Sequence, residues 1–514
     1  MTTKTQLILT TILSLFFANF AQAQLPQPVL TTLGLAEGEL VAGSTNVSVF
    51  RGLPYAAPPV GENRWREPQP AASWAGVRPA DRFAPRCVQR GFAPGADQPQ
   101  TSEDCLYLNL WTPASTSTAA LPVLVWIHGG GFFGGSGGDM SYTGTNLASR
   151  GAVVVTINYR LGVFGFFAHP ALTAESPNHS SGNYALLDMI AALQWVKTNI
   201  AAFGGNPDNV TIVGESAGAQ SVGVLIASPL SSGLFKRGIL QSSGWLGFNI
   251  NAQPRLADRE AQGIQQMQKF GAANIAQLRQ AGSQQIFEKL PNTGTINVDG
   301  YLLPKDASQI FAAGTQQPVD VLAGSNSNEA AFFGNGPQTI KALHEYASRF
   351  GSLAENFARL YPAADDSKAQ ATHYKAFSAE MAWHVRKLAQ YQSERGHHAY
   401  AYYFSHIPPG QEQRGAAHVA ELAYMFNQHE QNPAWTAVDH ALSDQMARYW
   451  VNFAATGNPN GKELPTWADY NPNNRNSVMS FADKAAAMKD AIPSTAEMAF
   501  FDKAYQNQLQ ALAP

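Results

Sequence analysis

The pentapeptide Gly214-Glu215-Ser216-Ala217-Gly218 sets a serine between two glycines, where the apolar run Val210–Val213 gives way to a second apolar segment starting at Ala217. A strand that turns this sharply into a helix drives the corner residue toward strained dihedrals and lifts its side chain clear of the backbone. Residues two before and two after the corner must be nearly free of side chain, or strand and helix collide; Gly214 and Gly218 meet that need. A serine displayed in this way is a candidate nucleophile for acyl transfer. An ordinary loop serine is the plainer alternative, so partners elsewhere in the chain decide.

A serine hydroxyl attacks poorly at neutral pH unless a base takes its proton and an acid orients the base. Behind a corner of this kind the acid follows the serine in the chain, and the base follows the acid. Glu329 lies just past the apolar run Val319–Gly324, where a strand-end loop is expected; Asp299 and Asp306 fall in turn-rich sequence and Asp320 lies inside the run. Of the twelve histidines, His128, His169 and His179 precede the serine, His344 sits in a helical stretch, and His406 closes the strand-like Ala399–Ile407. His418 follows that strand across a short Gly-containing loop and is the best-placed base. Spacing alone leaves a structural histidine equally open there.

The negative charge of a tetrahedral intermediate needs hydrogen-bond donors. His128–Gly135, HGGGFFGG, follows an apolar run and offers backbone N–H groups unobstructed by side chains. Gly130 and Gly131, with the N–H of Ala217 after the serine, are the expected oxyanion donors. A phosphate cradle is the competing reading. It fails because the loop lacks both the Gly-Lys-Ser/Thr ending and the downstream acidic partner of a dinucleotide site.

Positioning these groups takes a repeated alternation of elements. Val123–His128, Val153–Asn158, Val210–Val213, Val319–Gly324 and Ala399–Ile407 read as strands. Asn183–Phe203 carries apolar residues at helical spacing and reads as an amphipathic helix; Ala217–Ile226 and Ala441–Ala454 are further helices. Strands apolar on both faces, alternating with helices, predict an α/β fold with a large, mostly parallel central sheet covered on both faces. Val29–Phe50, with its Gly and Asn turns, predicts an additional N-terminal β region. In such sheets chemistry collects in loops beyond the carboxyl ends of the strands.

At 514 residues and 45% hydrophobic, the chain can bury a large core, and length alone suggests about three domains. No Pro-rich or charged linker divides it, so a single domain over residues 24–514 is expected. A net charge of −3 without a basic cluster argues against nucleic acid as a partner. Residues 1–23 begin with Lys4, continue through an apolar stretch from Leu7 to Phe20 and end in Ala21-Gln22-Ala23. That is the pattern of a secretory signal peptide cleaved near Ala23, with a core too short for stable membrane insertion. The mature chain is therefore expected in the periplasm or outside the cell. In an exported chain Cys87 and Cys105 are expected to pair, closing a loop worth about 3 kcal/mol. Neither cysteine has neighbours spaced as metal ligands.

From about Phe50 to Tyr470 the chain resembles the type-B carboxylesterases, the family that also holds the cholinesterases. Phe50–Trp65 is similar to the family's N-terminal block, and Ser102–Pro113, SEDCLYLNLWTP, to its second signature, whose cysteine pairs with an earlier one, here Cys87. FGGNPDNVTIVGESAGA resembles the serine signature, GSNSNEA the acid loop with Ala330 in place of the usual glycine, and GAAHVAELAYMF the histidine loop. MARYWVNFAATGNPN resembles the C-terminal helix. The resemblance implies an α/β-hydrolase fold with Ser216, Glu329 and His418 as a triad and the oxyanion donors already named. One departure narrows the substrate. Cholinesterases carry a tryptophan for the quaternary ammonium in the first disulfide loop, whereas Phe92 is the only aromatic between Cys87 and Cys105. That argues against choline esters.

The expectation is thus a serine carboxylesterase acting through an acyl-enzyme on a small-molecule or polymer-derived ester, with no metal or organic cofactor. The alternatives are a lipase or an esterase specialised for phenolic or polymeric esters and, in another class, a non-catalytic binding protein on the same fold. Trp245, Leu246 and Phe248 read either as an acyl pocket or as ordinary core. Glu215 either tunes the base or serves a structural hydrogen bond, and Ser242 or Ser243 could support the site from behind. Activity is expected to fall below about pH 6 to 7 as His418 protonates. The residues fix no oligomeric state.

Overall fold

The computed structural model describes residues 24–512, apart from 45, 91–99, 245, 247–252, 293, 335, 429–431, 471–477, 483–486 and 490–492. The leader at 1–23, Phe92, and the pocket candidates Trp245 and Phe248 therefore lie outside the described residues.

Eleven strands form the main sheet: β1 Glu39–Leu40, β2 Ser48–Pro54, β3 Tyr107–Thr112, β4 Leu121–Ile127, β5 Val153–Ile157, β6 Gly205–Glu215, β7 Arg237–Gln241, β8 Asp320–Asn326, β9 Ala399–Phe404, β10 Val478–Phe481 and β11 Ala487–Lys489. Their order across the sheet is β11-β10-β9-β8-β7-β6-β4-β5-β3-β2-β1. The run from β5 to β10 is parallel throughout, while β1, β2 and β3 at one edge and β11 at the other pair antiparallel. The mostly parallel sheet is as expected. The N-terminal β region also forms, as β1, β2 and a small sheet of Val29–Thr31, Gly34–Glu37 and Val77–Pro79.

Helices cover both faces: α1 Tyr184–Asn199, α2 Ala217–Ala227, α3 Asp366–Glu394 and α4 Ala437–Thr456. Alternation along β4 explains why. Val123, Val125 and Ile127 enter the core shared with α1 and α2, whereas Leu124 and Trp126 enter the core shared with α4. The central strands β5, β7 and β8 are buried on both sides, which is why their runs are largely apolar. Cys87 and Cys105 form a disulfide beside the short strand pair Arg86–Cys87 and Thr101–Ser102.

Two local expectations need correction. The helix at Asn183–Phe203 is amphipathic only in its second half. α1 ends at Asn199 in a 3-10 turn and is buried all round in its first half, with Gln194, Lys197 and Thr198 exposed only near its end. Its Asp188 is fully buried and accepts hydrogen bonds from Arg160 Nη2 at 2.7 Å, Nε at 2.8 Å and N at 3.1 Å. The strand before Ser216 is also longer than the apolar run, reaching back across an irregularity between Gly205 and Val210.

Candidate active site

Ser216 stands between β6 and α2 with φ 55° and ψ −124°, a backbone region that costs free energy for a residue with a Cβ. Its N–H is anchored on Gln241 O at the end of β7, at 2.9 Å. The flanking glycines are required sterically. A Cβ on Gly214 would come within 2.4 Å of the Gly218 carbonyl carbon, and one on Gly218 within 2.0 Å of Ile127 O. α2 therefore starts hard against the end of β4.

The other candidates arrive from neighbouring carboxyl ends. β8 runs into a 3-10 turn that begins at Glu329, whose carboxylate accepts from Asn326 N at 2.7 Å; its own N–H donates to Ser378 Oγ at 3.0 Å on α3. His418 lies on the segment after β9, held to the acid loop where Asn328 N donates to Ala416 O at 2.9 Å. His418 Nδ1 and Glu329 Oε2 are 2.7 Å apart, and both residues are buried. Of the other histidines, His344 lies in a helix, Ile340–Ala347, and His406 Nε2 pairs with Asp439 at 2.7 Å.

The second ring nitrogen, Nε2, sits 3.0 Å from Glu215 Oε1, in ion-pair contact but without hydrogen-bond alignment. No hydrogen bond joins Ser216 to His418, although both line one cavity. Burial opposes protonation of His418, yet Glu215 and Glu329 outweigh it and hold the imidazolium well above its usual pKa. Burial in turn pushes the Glu215 carboxyl up, against the pull of His418. The Glu215 carboxylate occupies the space beneath Gly129, where a Cβ would meet Oε2 at 2.5 Å.

Gly130, Gly131 and Ala217 all line the same cavity, and their N–H groups have no protein acceptor among the described residues. The Gly-rich loop is folded on the Gly130 carbonyl, which accepts from Phe133 N and Gly134 N, each at 3.1 Å. Gln89 fixes the far side of the loop, accepting from Gly135 N at 2.8 Å and donating to Gly135 O at 2.7 Å. His128 at the loop start is buried and held down to a pKa of about 4, so it stays neutral.

The cavity is about 900 Å³, within the range of small-molecule sites. Phe132, Phe133, Phe332, Phe333 and Phe377 line it, and the rings of Phe332 and Phe333 lie 5.7 and 5.3 Å from the His418 ring. Sequence reasoning missed these aromatics. The available signal was a Phe-Phe doublet directly after each of the glycine and acid motifs. It also missed Glu421, three residues past His418, whose buried carboxyl accepts from Gln241 Nε2 at 3.0 Å and Asn326 Nδ2 at 2.5 Å. Burial, with Glu215 and Glu329 nearby, pushes Glu421 up to about 7. Ser242 and Ser243 both line the cavity. Among the described residues no cluster of His, Cys, Asp and Glu is disposed to hold a metal ion, and no helix is long and apolar enough to cross a membrane.

Comparison with known proteins adds a second line of observation. Residues 26–501 match the carboxylesterase family. The chain is 39% identical over 496 residues to fumonisin B1 esterase of Sphingopyxis macrogoltabida, covering 90% of this chain and 88% of that one. It is 34% identical over 480 residues to para-nitrobenzyl esterase of Bacillus subtilis (strain 168), covering 88% and 94%. A solved structure of PNB esterase superposes with a TM-score of 0.80 at 29% identity, covering 92% of this chain and 98% of that one.

Proposed function

Because the chain belongs to the carboxylesterase family and is a carboxylic ester hydrolase of the serine type, we propose that Ser216, His418 and Glu329 are its nucleophile, base and orienting acid. The N–H groups of Gly130, Gly131 and Ala217 serve as oxyanion donors. The observation that carries this reading is the 2.7 Å contact between His418 Nδ1 and Glu329, made at the wall of the cavity that also receives Ser216.

Ser216 Oγ attacks the ester carbonyl carbon while its proton passes to His418 Nε2. The charge on the carbonyl oxygen falls to the three N–H groups, which have no other acceptor to give up. Collapse of the intermediate expels the alcohol, which takes the proton from His418 and leaves Ser216 acylated. Water then attacks the acyl carbon by the same route and releases the acid. Glu329 fixes the proton on Nδ1 so that Nε2 presents a lone pair. Nε2 first exchanges its contact with Glu215 for the serine hydroxyl, a hydrogen bond of the kind that tightens when substrate binds. These steps use no metal or organic cofactor.

The aromatic lining supports esters with a sizeable apolar or aryl portion, and esters of phenolic or polymeric origin fall within that class. Relatives named for fumonisin B1 and para-nitrobenzyl esters illustrate its breadth. Residues 24–514 act as one hydrolase domain, delivered to the periplasm or the medium after cleavage near Ala23. The Cys87–Cys105 disulfide supports that address, since such bonds persist in oxidising compartments. A fluorophosphonate probe should label Ser216, located by peptide mass spectrometry, and Ser216→Ala should lower kcat by about 10⁶-fold on aryl esters. Full hydrolysis by Ser216→Ala would overturn the assignment.

A further inference from the structure

Arg86 is 5% exposed, lines the substrate cavity and has no carboxylate within 4 Å among the described residues. Its Nη2 donates to the neutral Gln89 Oε1 at 3.0 Å, and its Nε is buried with no acceptor. Four other buried arginines have a carboxylate partner. Arg64 pairs with Glu103 at 2.5 Å, Arg160 with Asp188 at 2.7 Å, Arg237 with Asp320 at 3.7 Å, and Arg279 with Glu175. Arg259, which also lacks a carboxylate, lies outside the cavity. Leaving a guanidinium buried and unpaired is costly, so a cation retained this way in a binding site calls for an anion supplied from outside the chain.

Two further buried donors on the cavity wall also lack acceptors, Ser242 Oγ and Gln428 Nε2. The acidic residues on that wall do not serve Arg86: Glu215 faces His418, and Asp139 accepts from Ser141 N at 2.9 Å. Gln89 also ties Arg86 to the oxyanion loop, accepting from both Arg86 and Gly135 N. The guanidinium is therefore one side chain away from the loop that would hold the reacting carbonyl. Arg86 and Ser216 line the same cavity, so one ligand can meet both.

We propose that Arg86 is a specificity-determining residue that selects esters carrying a free carboxylate. The inference rests on the serine esterase reading above and adds a substrate class to it. A planar guanidinium and a carboxylate form a charge-assisted, two-point contact, and a neutral ester of the same shape leaves the arginine unpaired.

The test compares p-nitrophenyl hydrogen adipate with p-nitrophenyl hexanoate, which differ at the far end of the acyl chain, with uncatalysed hydrolysis subtracted. Wild type should favour the charged ester in kcat/KM, and Arg86→Gln should lower that ratio by about 10–100-fold, with Arg86→Lys in between. An unchanged ratio in Arg86→Gln overturns the proposal. Should Arg86→Gln fold poorly, inhibition of the wild-type enzyme decides. Adipate dianion should inhibit hexanoate ester hydrolysis at least about tenfold more strongly than 1,6-hexanediol, and equal inhibition overturns the proposal. Both outcomes are separate from the catalytic assignment, which stands or falls on Ser216→Ala with the hexanoate ester alone.

Discussion

His418 Nε2 lies 3.0 Å from the carboxylate of Glu215, the residue immediately before the candidate nucleophile. With Glu329 on the opposite ring nitrogen, the imidazole is held between two acids, and its pKa is carried well above 6.5 despite burial. A base must be unprotonated, so kcat/KM should rise with pH through a midpoint above that of an ordinary histidine. This places the acid limb higher than the pH 6 to 7 expected from sequence. Glu215→Gln should shift the limb to lower pH in a profile taken with a chemically limited ester. Superimposable profiles for the two enzymes would contradict the electrostatic account.

Stability should move the opposite way. A histidine whose pKa is raised on folding contributes stability that is complete below its unfolded value of about 6.5, and this contribution is lost as pH rises through the folded value. Glu421, pushed up to about 7, acts in the same direction, because raising the pH charges a buried carboxyl. Tm should therefore fall first between about pH 4.5 and 7, where Glu421 ionises and Glu421→Gln should flatten the fall, and again above 6.5, where His418 loses its proton and kcat/KM rises. Differential scanning calorimetry in matched buffers measures it.

Gly130 is the steric weak point of the proposed oxyanion loop. Its φ is +99°, and a Cβ there would lie 2.2 Å from Gly134 O. Gly130→Ala should displace at least one donor and lower kcat by about 10²–10³-fold. Fluorophosphonate labelling would be slowed as well. Wild-type turnover in this variant would move the oxyanion site elsewhere.

The Arg160–Asp188 pair is buried, and neither residue lines the cavity that holds Ser216. Asp188→Ala strands a buried guanidinium and should cost about 3–5 kcal/mol, read from chemical denaturation. A loss below about 1 kcal/mol would mean that water reaches the site.

The corner at Ser216 was legible because it obeys a local steric rule: two glycines are needed where α2 touches β4, whatever else the chain does. The positions of the candidate acid and base were legible through their place after β8 and β9, although only the family resemblance separated His418 from a structural histidine. The cavity lining was less so. Arg86, Phe132, Phe332 and Phe377 come from four separate segments, and nothing in local periodicity says that they converge. The first half of α1 was misread for a related reason, since an apolar stripe records spacing and not what packs over the opposite face.

The bond between Cys87 and Cys105 fastens the residue next to Arg86 to the approach of β3. The corner at Ser216 owes nothing to sulfur. Gln89, bonded to Cys87 O, Arg86 and Gly135, carries that fastening on to the glycine loop, so protein assembled in a reducing cytosol would loosen the proposed selectivity of Arg86 and the proposed oxyanion donors together.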